Sequence, residues 1–235
     1  MSFKVFQLTL IQSFFTLLMY ALGILIFGVA LYPCLSWIHY VWVATYSMEL
    51  AFRWFLLSLA AASAYFIFGF ALMITVGIVR VIFRLRLREG EFAVNNPVIL
   101  KWMITNALFL AVRITFMDFI LLTPFSALFY KWMGAKVGHN VQINSQNVAD
   151  HSLLEIGDNS VIGGNATVIC HSFEKNGLHL KKVKIGKNVI IGLNAVVMPG
   201  CDIGDYAVIA AGAILPKGTK LEERSVYYGI NAKKS

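Results

Sequence analysis

The hydrophobic pattern changes character twice along the chain. Residues 5–32 and 54–79 are two long runs without a single charged side chain, rich in Leu, Ile, Phe and Ala. A hydrocarbon layer of about 30 Å takes about 20 apolar residues as a helix, so the runs predict membrane-spanning helices over about 5–32 and 50–79. Residues 89–97, with Asn95, Asn96 and Pro97, read as a loop. Residues 98–122 are apolar again but carry Lys101, Arg113 and Asp118. From Ile185 onward an aliphatic side chain stands at every sixth position: Ile185, Ile191, Val197, Ile203, Ile209, Leu215 and Leu221. Four places after each stands a small or β-branched residue, from Val189 and Ala195 through Cys201, Ala207 and Ala213 to Thr219. A period of six fits neither a helix nor an ordinary strand; it predicts the short rungs of a parallel β-helix, about 18 residues to a coil.

The same phase runs earlier through Val137 and Ile143 and, after one irregular step, Ile156, Ile162 and Val168. It breaks after Val168-Ile-Cys-His-Ser-Phe, and residues 174–182 predict a loop leaving the coil. The expected domains are therefore a membrane domain at 1–135 and a β-helix at 136–235, with four to five coils, about 18 residues each.

Charge sets the expected topology. Arg80, Arg84, Arg86 and Arg88 follow the second apolar run, whereas residues 33–48 hold no Lys or Arg. The positive-inside bias then puts 33–48 outside and the N-terminus and everything after Arg80 in the cytoplasm, with Trp37, Tyr40, Trp42 and Tyr46 as outer interfacial anchors. A third crossing would bury Arg113 near mid-bilayer at a cost of a few kcal/mol. Residues 98–122 are therefore expected as an interfacial or re-entrant helix, or as a core helix packed on the two spans. The net charge of +8 invites a nucleic-acid reading, but with arginines clustered beside a membrane helix anionic headgroups account for it more simply, and no recognition module is present. Cys34, Cys170 and Cys201 have neither metal nor disulfide spacing.

Among the five histidines, His171 stands where the coil is interrupted, with Glu174 three residues on and Asp150 one coil earlier. A neutral imidazole can take a proton from an attacking amine or hydroxyl, and a carboxylate, Glu174 or Asp150, would fix its tautomer. His179 lies within the projecting segment and is a candidate substrate contact.

The stretch from His171 through Ile185-Gly-Lys-Asn-Val-Ile-Ile-Gly-Leu-Asn-Ala-Val-Val-Met-Pro-Gly-Cys-Asp-Ile-Gly-Asp to Ile209-Ala-Ala-Gly-Ala-Ile-Leu-Pro-Lys-Gly resembles the hexapeptide-repeat acyltransferases, among them the galactoside, maltose, xenobiotic and streptogramin acetyltransferases. The resemblance covers about residues 137–235. It implies a left-handed parallel β-helix, a homotrimer, and acetyl-CoA or another acyl-CoA as donor in the groove between neighbouring prisms. By position His171 matches the general base. Leu193 and Ala211 match groove positions touching the pantetheine arm, Lys217 and Lys233 match positions near the CoA phosphates, and Asn144 and Asp150 match the acceptor side. The chain departs from the pattern at Gly229-Ile-Asn-Ala-Lys233, which lacks a proline, at Ile190 where a tryptophan is common, and at Pro216 where a hydroxyl residue is usual.

Membrane helices followed by a hexapeptide coil, with His171-Ser172-Phe173-Glu174, are also similar to the C-terminal membrane region of poly-lysine-type non-ribosomal peptide synthetases. That resemblance implies an acyl or peptidyl carrier protein as donor and an amine as acceptor. Three readings follow. The first is an integral protein of the cytoplasmic membrane that acylates a lipid-linked or amphiphilic acceptor, with coil amides stabilising the oxyanion. The second is a carrier-dependent amide-forming module, and the third a non-catalytic trimeric scaffold among membrane lipids. No metal is expected, because a zinc site of the β-helical carbonic anhydrase kind needs three converging histidines, and His171 and His179 stand eight apart.

Overall fold

The computed structural model describes residues 3–229, with side chains described from residue 13. Lys233 and most of the 229–233 motif lie outside the described residues. The chain forms two compact units, Met1–Val79 and Arg80–Ser235.

In the first unit, helices α1 (Phe3–Ala44) and α2 (Leu50–Ile82) run antiparallel. Trp37 Nε1 donates to Ser63 Oγ at 2.8 Å, and the rings of Phe27 and Phe68 meet at 5.8 Å. Ala30, Ala60 and Ala64 are buried, the small residues that let two apolar helices approach, while Ile24, Leu25 and Phe55 stay exposed. Both helices are long and apolar enough to cross a membrane. The first runs further than expected: the connection between the two helices shrinks to residues 45–49, and Trp37, Tyr40 and Trp42 sit on α1 itself. The Arg53 guanidinium caps this end, 4.2 Å above the Trp42 ring.

The second unit begins earlier than the expected boundary at 135/136. Helices α3 (Pro97–Thr115), α4 (Met117–Ile120) and α5 (Pro124–Trp132) belong with the coil. Asn96 caps α3 with Pro97 in its first turn. Although α3 too is long and apolar enough to cross a membrane, part of its apolar face packs on the first coil. Phe109, Phe129, Tyr130 and Met133 are buried, and the Tyr130 hydroxyl donates to the Ser145 carbonyl at 3.0 Å. Arg113, the residue that argued against a crossing, donates to Asn147 Oδ1 at 2.7 Å.

The coil is a parallel β-helix of three sheets. One stacks strands 136–137, 154–156, 183–185, 202–203 and 220–221; the next 142–143, 161–162, 190–191, 208–209 and 226–227; the third 167–168, 196–197 and 214–215, with Val148 bridged to Val168. From Ile185 onward partners are 18 apart, as Ile185 with Ile203 and Ile191 with Ile209. Across the interruption all three sheets shift alike: Ile156 pairs with Ile185, Ile162 with Ile191 and Val168 with Val197, each 29 apart. An insertion of 11 residues between Val168 and Ile185 accounts for all of it.

The corners require one left-handed residue each, three places after the inward aliphatic. Asn188, Asn194, Gly200, Gly212 and Gly218 occupy it in the later coils, with φ from 54° to 81°. Asparagine and glycine are the residues that enter this region at least cost. Tyr206 and Arg224 fill two such corners instead and stack on one another at 5.6 Å.

The insertion is not the open loop expected. His171–Glu174 and Gly177–Leu180 form an antiparallel hairpin, extended by the strand Gly90–Phe92 to a three-stranded sheet. Leu178 and Leu180 are buried, and at Gly177 (φ 125°) a Cβ would collide with the Phe92 backbone.

His151, in the 3₁₀ turn His151–Leu153, is fully buried, its ring 4.4 Å from Phe109 and 5.0 Å from Tyr130. Burial pushes its pKa down to about 4, against a smaller opposing pull from the Asp150 carboxylate. An unfolded histidine takes a proton near pH 6.5, so between there and pH 4 the unfolded chain binds a proton that the native fold refuses. Stability should therefore fall as pH drops through this window, by about 3 kcal/mol in all. Denaturation midpoints at pH 7 and 4.5 measure it, and His151→Phe should flatten the difference.

Candidate active site

The chemistry of the coil concentrates where the insertion leaves it. His171 is the first hairpin residue and stays partly exposed, whereas Asp150 is buried and holds a left-handed backbone (φ 57°) that turns its carboxylate toward the hairpin. His171 Nδ1 lies 2.6 Å from Asp150 Oδ2. The same oxygen accepts from the Cys170 amide at 3.1 Å, and Oδ1 accepts from Trp102 Nε1 on α3 at 2.8 Å. Burial alone would push this carboxyl up. The donors His171, Trp102 and Cys170 more than offset it, and Asp150 sits below the usual carboxylate range. An ionised Asp150 needs a donor at His171 Nδ1, which leaves Nε2 as the free lone pair of a neutral ring.

Trp102 also flanks the imidazole edge-on, with ring centroids 5.0 Å apart. His171 and Trp102 close one end of a cleft of about 590 Å³ between α3 and the coil. Met103, Asn106, Leu110 and Thr167 line it, and Arg113 with Asn147 contributes polar groups.

Of the two carboxylates proposed from sequence to orient His171, only Asp150 reaches it. Glu174 lies three residues along the same strand, so strand alternation sends it to the opposite face. There it accepts from Lys217 Nζ at 3.0 Å and from Ser172 Oγ at 3.1 Å, which holds it below the usual carboxylate range. His179 pairs with Ser172 across the hairpin and shares that far face; its Nδ1 lies 3.4 Å from Glu91 Oε1. Neither Glu174 nor His179 meets the His171 cleft, and Lys217 is engaged by Glu174. Asn144 is not among the cleft residues either; the asparagines there are Asn106 and Asn147. Leu193 and Ala211 stand at a corner of successive coils away from His171, where a Cβ on Gly192 would meet the Ala211 backbone. Among the described residues, no group of three His, Cys, Asp or Glu side chains could hold a metal ion, and all three cysteines are free and buried.

Trp102 was missed from sequence. Its position in an apolar helix gave it no distinguishing pattern, and its role exists only because α3 packs across the first coil.

A parallel β-helix built on a six-residue repeat is a recognisable class, and comparison with known proteins agrees. Residues 182–217 match the bacterial transferase hexapeptide (six repeats), and residues 154–173 match the hexapeptide repeat of succinyl-transferase. Both matched stretches lie within the coil and carry its hexapeptide repeat. YvoF of Bacillus subtilis (strain 168) is 39% identical over 64 residues, 27% of this chain and 37% of that protein. Galactoside O-acetyltransferase of Escherichia coli (strain K12) is 37% identical over 89 residues, 34% of this chain and 44% of that protein. The chain thus spans less than half the length of either. Delta-poly-L-ornithine synthetase of Acinetobacter baumannii (strain AB307-0294) is 22% identical over 117 residues, 50% of this chain but 9% of that protein. Among solved structures, the hexapeptide-repeat containing acetyltransferase VCA0836 from Vibrio cholerae aligns with a TM-score of 0.37 at 24% identity, over 40% of this chain and 57% of that one.

Proposed function

We propose that this protein is a membrane-anchored acyltransferase that moves an acyl group, most simply acetyl, from a CoA thioester to a hydroxyl or amine on a lipid-linked or amphiphilic acceptor. The observation that carries the reading is the 2.6 Å contact between Asp150 Oδ2 and His171 Nδ1 beside an open cleft. With Nδ1–H held by Asp150, Nε2 accepts the acceptor's proton as its oxygen or nitrogen attacks the thioester carbonyl; the proton then passes to the leaving thiolate. Asp150 stabilises the imidazolium in between without itself taking the proton.

The surface of α3 to α5 supports this acceptor class. Met103 and Leu110 line the cleft yet remain exposed, and Ile114, Phe119, Leu122 and Phe125 continue an exposed apolar surface beyond them. Such a surface suits a bilayer face, so an acceptor moored in the membrane would reach His171 along α3. With the arginines after α2 on the inner side, the N-terminus and the catalytic unit are cytoplasmic.

The donor groove needs neighbouring copies. Four of the five outward side chains of one sheet, Val161, Ile190, Val208 and Val226, form an apolar row in register, with Gln142 at its end. Those of another, Lys136, Glu155, Lys184, Asp202 and Lys220, alternate in charge and suit water. The apolar row would bury against another prism in a homotrimer, with CoA held beside Leu193 and Ala211; both are exposed. Ile190→Glu with Val208→Glu is expected to give monomers by light scattering, because two carboxylates would lose hydration at the contact.

The deciding assay uses full-length protein in vesicles of its host's lipid extract with acetyl-labelled CoA. Free CoA thiol should appear in step with label on a membrane-extracted product. A protein that neither binds nor consumes acyl-CoA sinks this reading. Trp102→Phe should slow transfer about tenfold by removing one hydrogen bond to an ionised group. Loss of that donor raises the Asp150 pKa, so the acid limb of the pH–rate profile should move to higher pH; an unmoved limb would assign Trp102 to packing alone.

A second reading, amide formation from a carrier-protein thioester, is favoured by the similarity to delta-poly-L-ornithine synthetase over half of the chain. It expects product only when a carrier thioester replaces CoA in the same assay.

A further inference from the structure

The last turn of α2 and the segment after it build a second polar cleft that acyl transfer does not use. Arg80 lies in the last turn of the helix. Arg84 then adopts a left-handed backbone (φ 49°), and the amides of Leu85 and Arg86 donate back to the carbonyls of Arg80 at 2.9 Å and Arg84 at 2.8 Å. This tight return brings Arg86 to the same cleft as Arg80. Leu85 and Leu87 are buried, so the alternate residues Arg84, Arg86 and Arg88 are held outward from an anchored backbone.

Arg80, Arg84 and Arg86 line a cleft of about 410 Å³ with Val81, Leu85 and Gly134, and no carboxylate is among these residues. None of the three guanidinium groups forms an ion pair among the described residues, and Arg80 Nε is buried without a hydrogen-bond partner. At Gly134 (φ 102°) a Cβ would collide with the Arg80 guanidinium, so glycine keeps the floor open. A neighbouring depression shares Arg86 and adds Arg88, Lys182 and the carboxylate Glu89, which accepts from the Lys182 amide at 2.9 Å. Three guanidinium groups on one concave site repel each other until a counter-charge arrives. Their planar donor forks match the oxygens of a phosphate group, which can accept from several arginines at once.

We propose that this arginine cleft binds a phosphate group, either the headgroup of an anionic phospholipid or a soluble phosphate. Either source presents the same tetrahedral anion, and the position directly after a predicted membrane helix makes both accessible.

The test is thermal stabilisation of the full-length protein in neutral detergent at fixed ionic strength. One arm titrates short-chain phosphatidic acid against phosphatidylcholine, and the other titrates inorganic phosphate against chloride. Saturable stabilisation by phosphatidic acid alone supports a lipid source. Stabilisation by inorganic phosphate, with or without the lipid, supports a soluble one. Arg84→Gln with Arg86→Gln, both exposed and therefore compatible with folding, should raise the half-saturating concentration about tenfold or more. Lys184→Gln with Lys220→Gln removes the same charge from a coil face and should leave it unchanged. No saturable stabilisation in either arm overturns the proposal. So does an unchanged half-saturation in the arginine variant, or an equal weakening in the lysine variant, which would mean diffuse charge attraction.

Discussion

Replacing His171 with alanine is expected to lower acyl transfer by about 10²–10⁴-fold, the usual contribution of a positioned general base, while the coil stays folded. The side chain is partly exposed at the mouth of the cleft, and its ring does not fill the core of stacked aliphatics. The loss should therefore fall on turnover, with donor binding, measured by the dissociation constant of a non-reactive acyl-CoA analogue, close to that of the parent. Transfer at the parental rate by a folded His171→Ala oligomer would remove the imidazole from the mechanism.

The second large effect is expected at Asp150. Its carboxylate receives three donors: His171 Nδ1, the Cys170 amide and Trp102 Nε1. Asparagine conserves the shape but offers one oxygen and one NH₂, so at least one donor must face another donor. If the amide nitrogen faces His171, the ring has to present its lone pair at Nδ1 and its proton at Nε2, the tautomer that cannot act as base. Asp150→Asn should thus lower turnover by about 10³–10⁴-fold. Combining it with His171→Ala should cost little beyond the single histidine variant, because the two act as one unit. Additive losses would show that Asp150 works independently of His171.

Much of this arrangement is legible in the chain. The six-residue period marks the inward aliphatics from Ile185 to Leu221, and its interruption points to His171. Asp150 is reachable because an earlier coil folds back beside it. Why Asp150 rather than Glu174 reaches His171 has a physical origin. Reading residues 174–182 as a loop hid the strand alternation that turns positions 171 and 174 to opposite faces. The pairing of Gly90–Phe92 with Gly177–Leu180 spans almost ninety residues and three residues of strand, too short for a period to register. Trp102 and the packing of α3 were hidden for a related reason. Apolar composition alone does not separate a helix lying on a bilayer from one lying on a β-helix, and residues of α3 serve both surfaces.

The uniform shift of all three sheets across the hairpin carries a consequence for divergence. Because the 11 inserted residues leave and rejoin the coil at one corner, the rungs above and below keep their register whatever the length of the excursion. Relatives could lengthen, shorten or exchange the segment between Val168 and Ile185 while every aliphatic stack survives. The scaffold and the hairpin that carries His171 are thereby free to change at different rates, without renegotiating the fold.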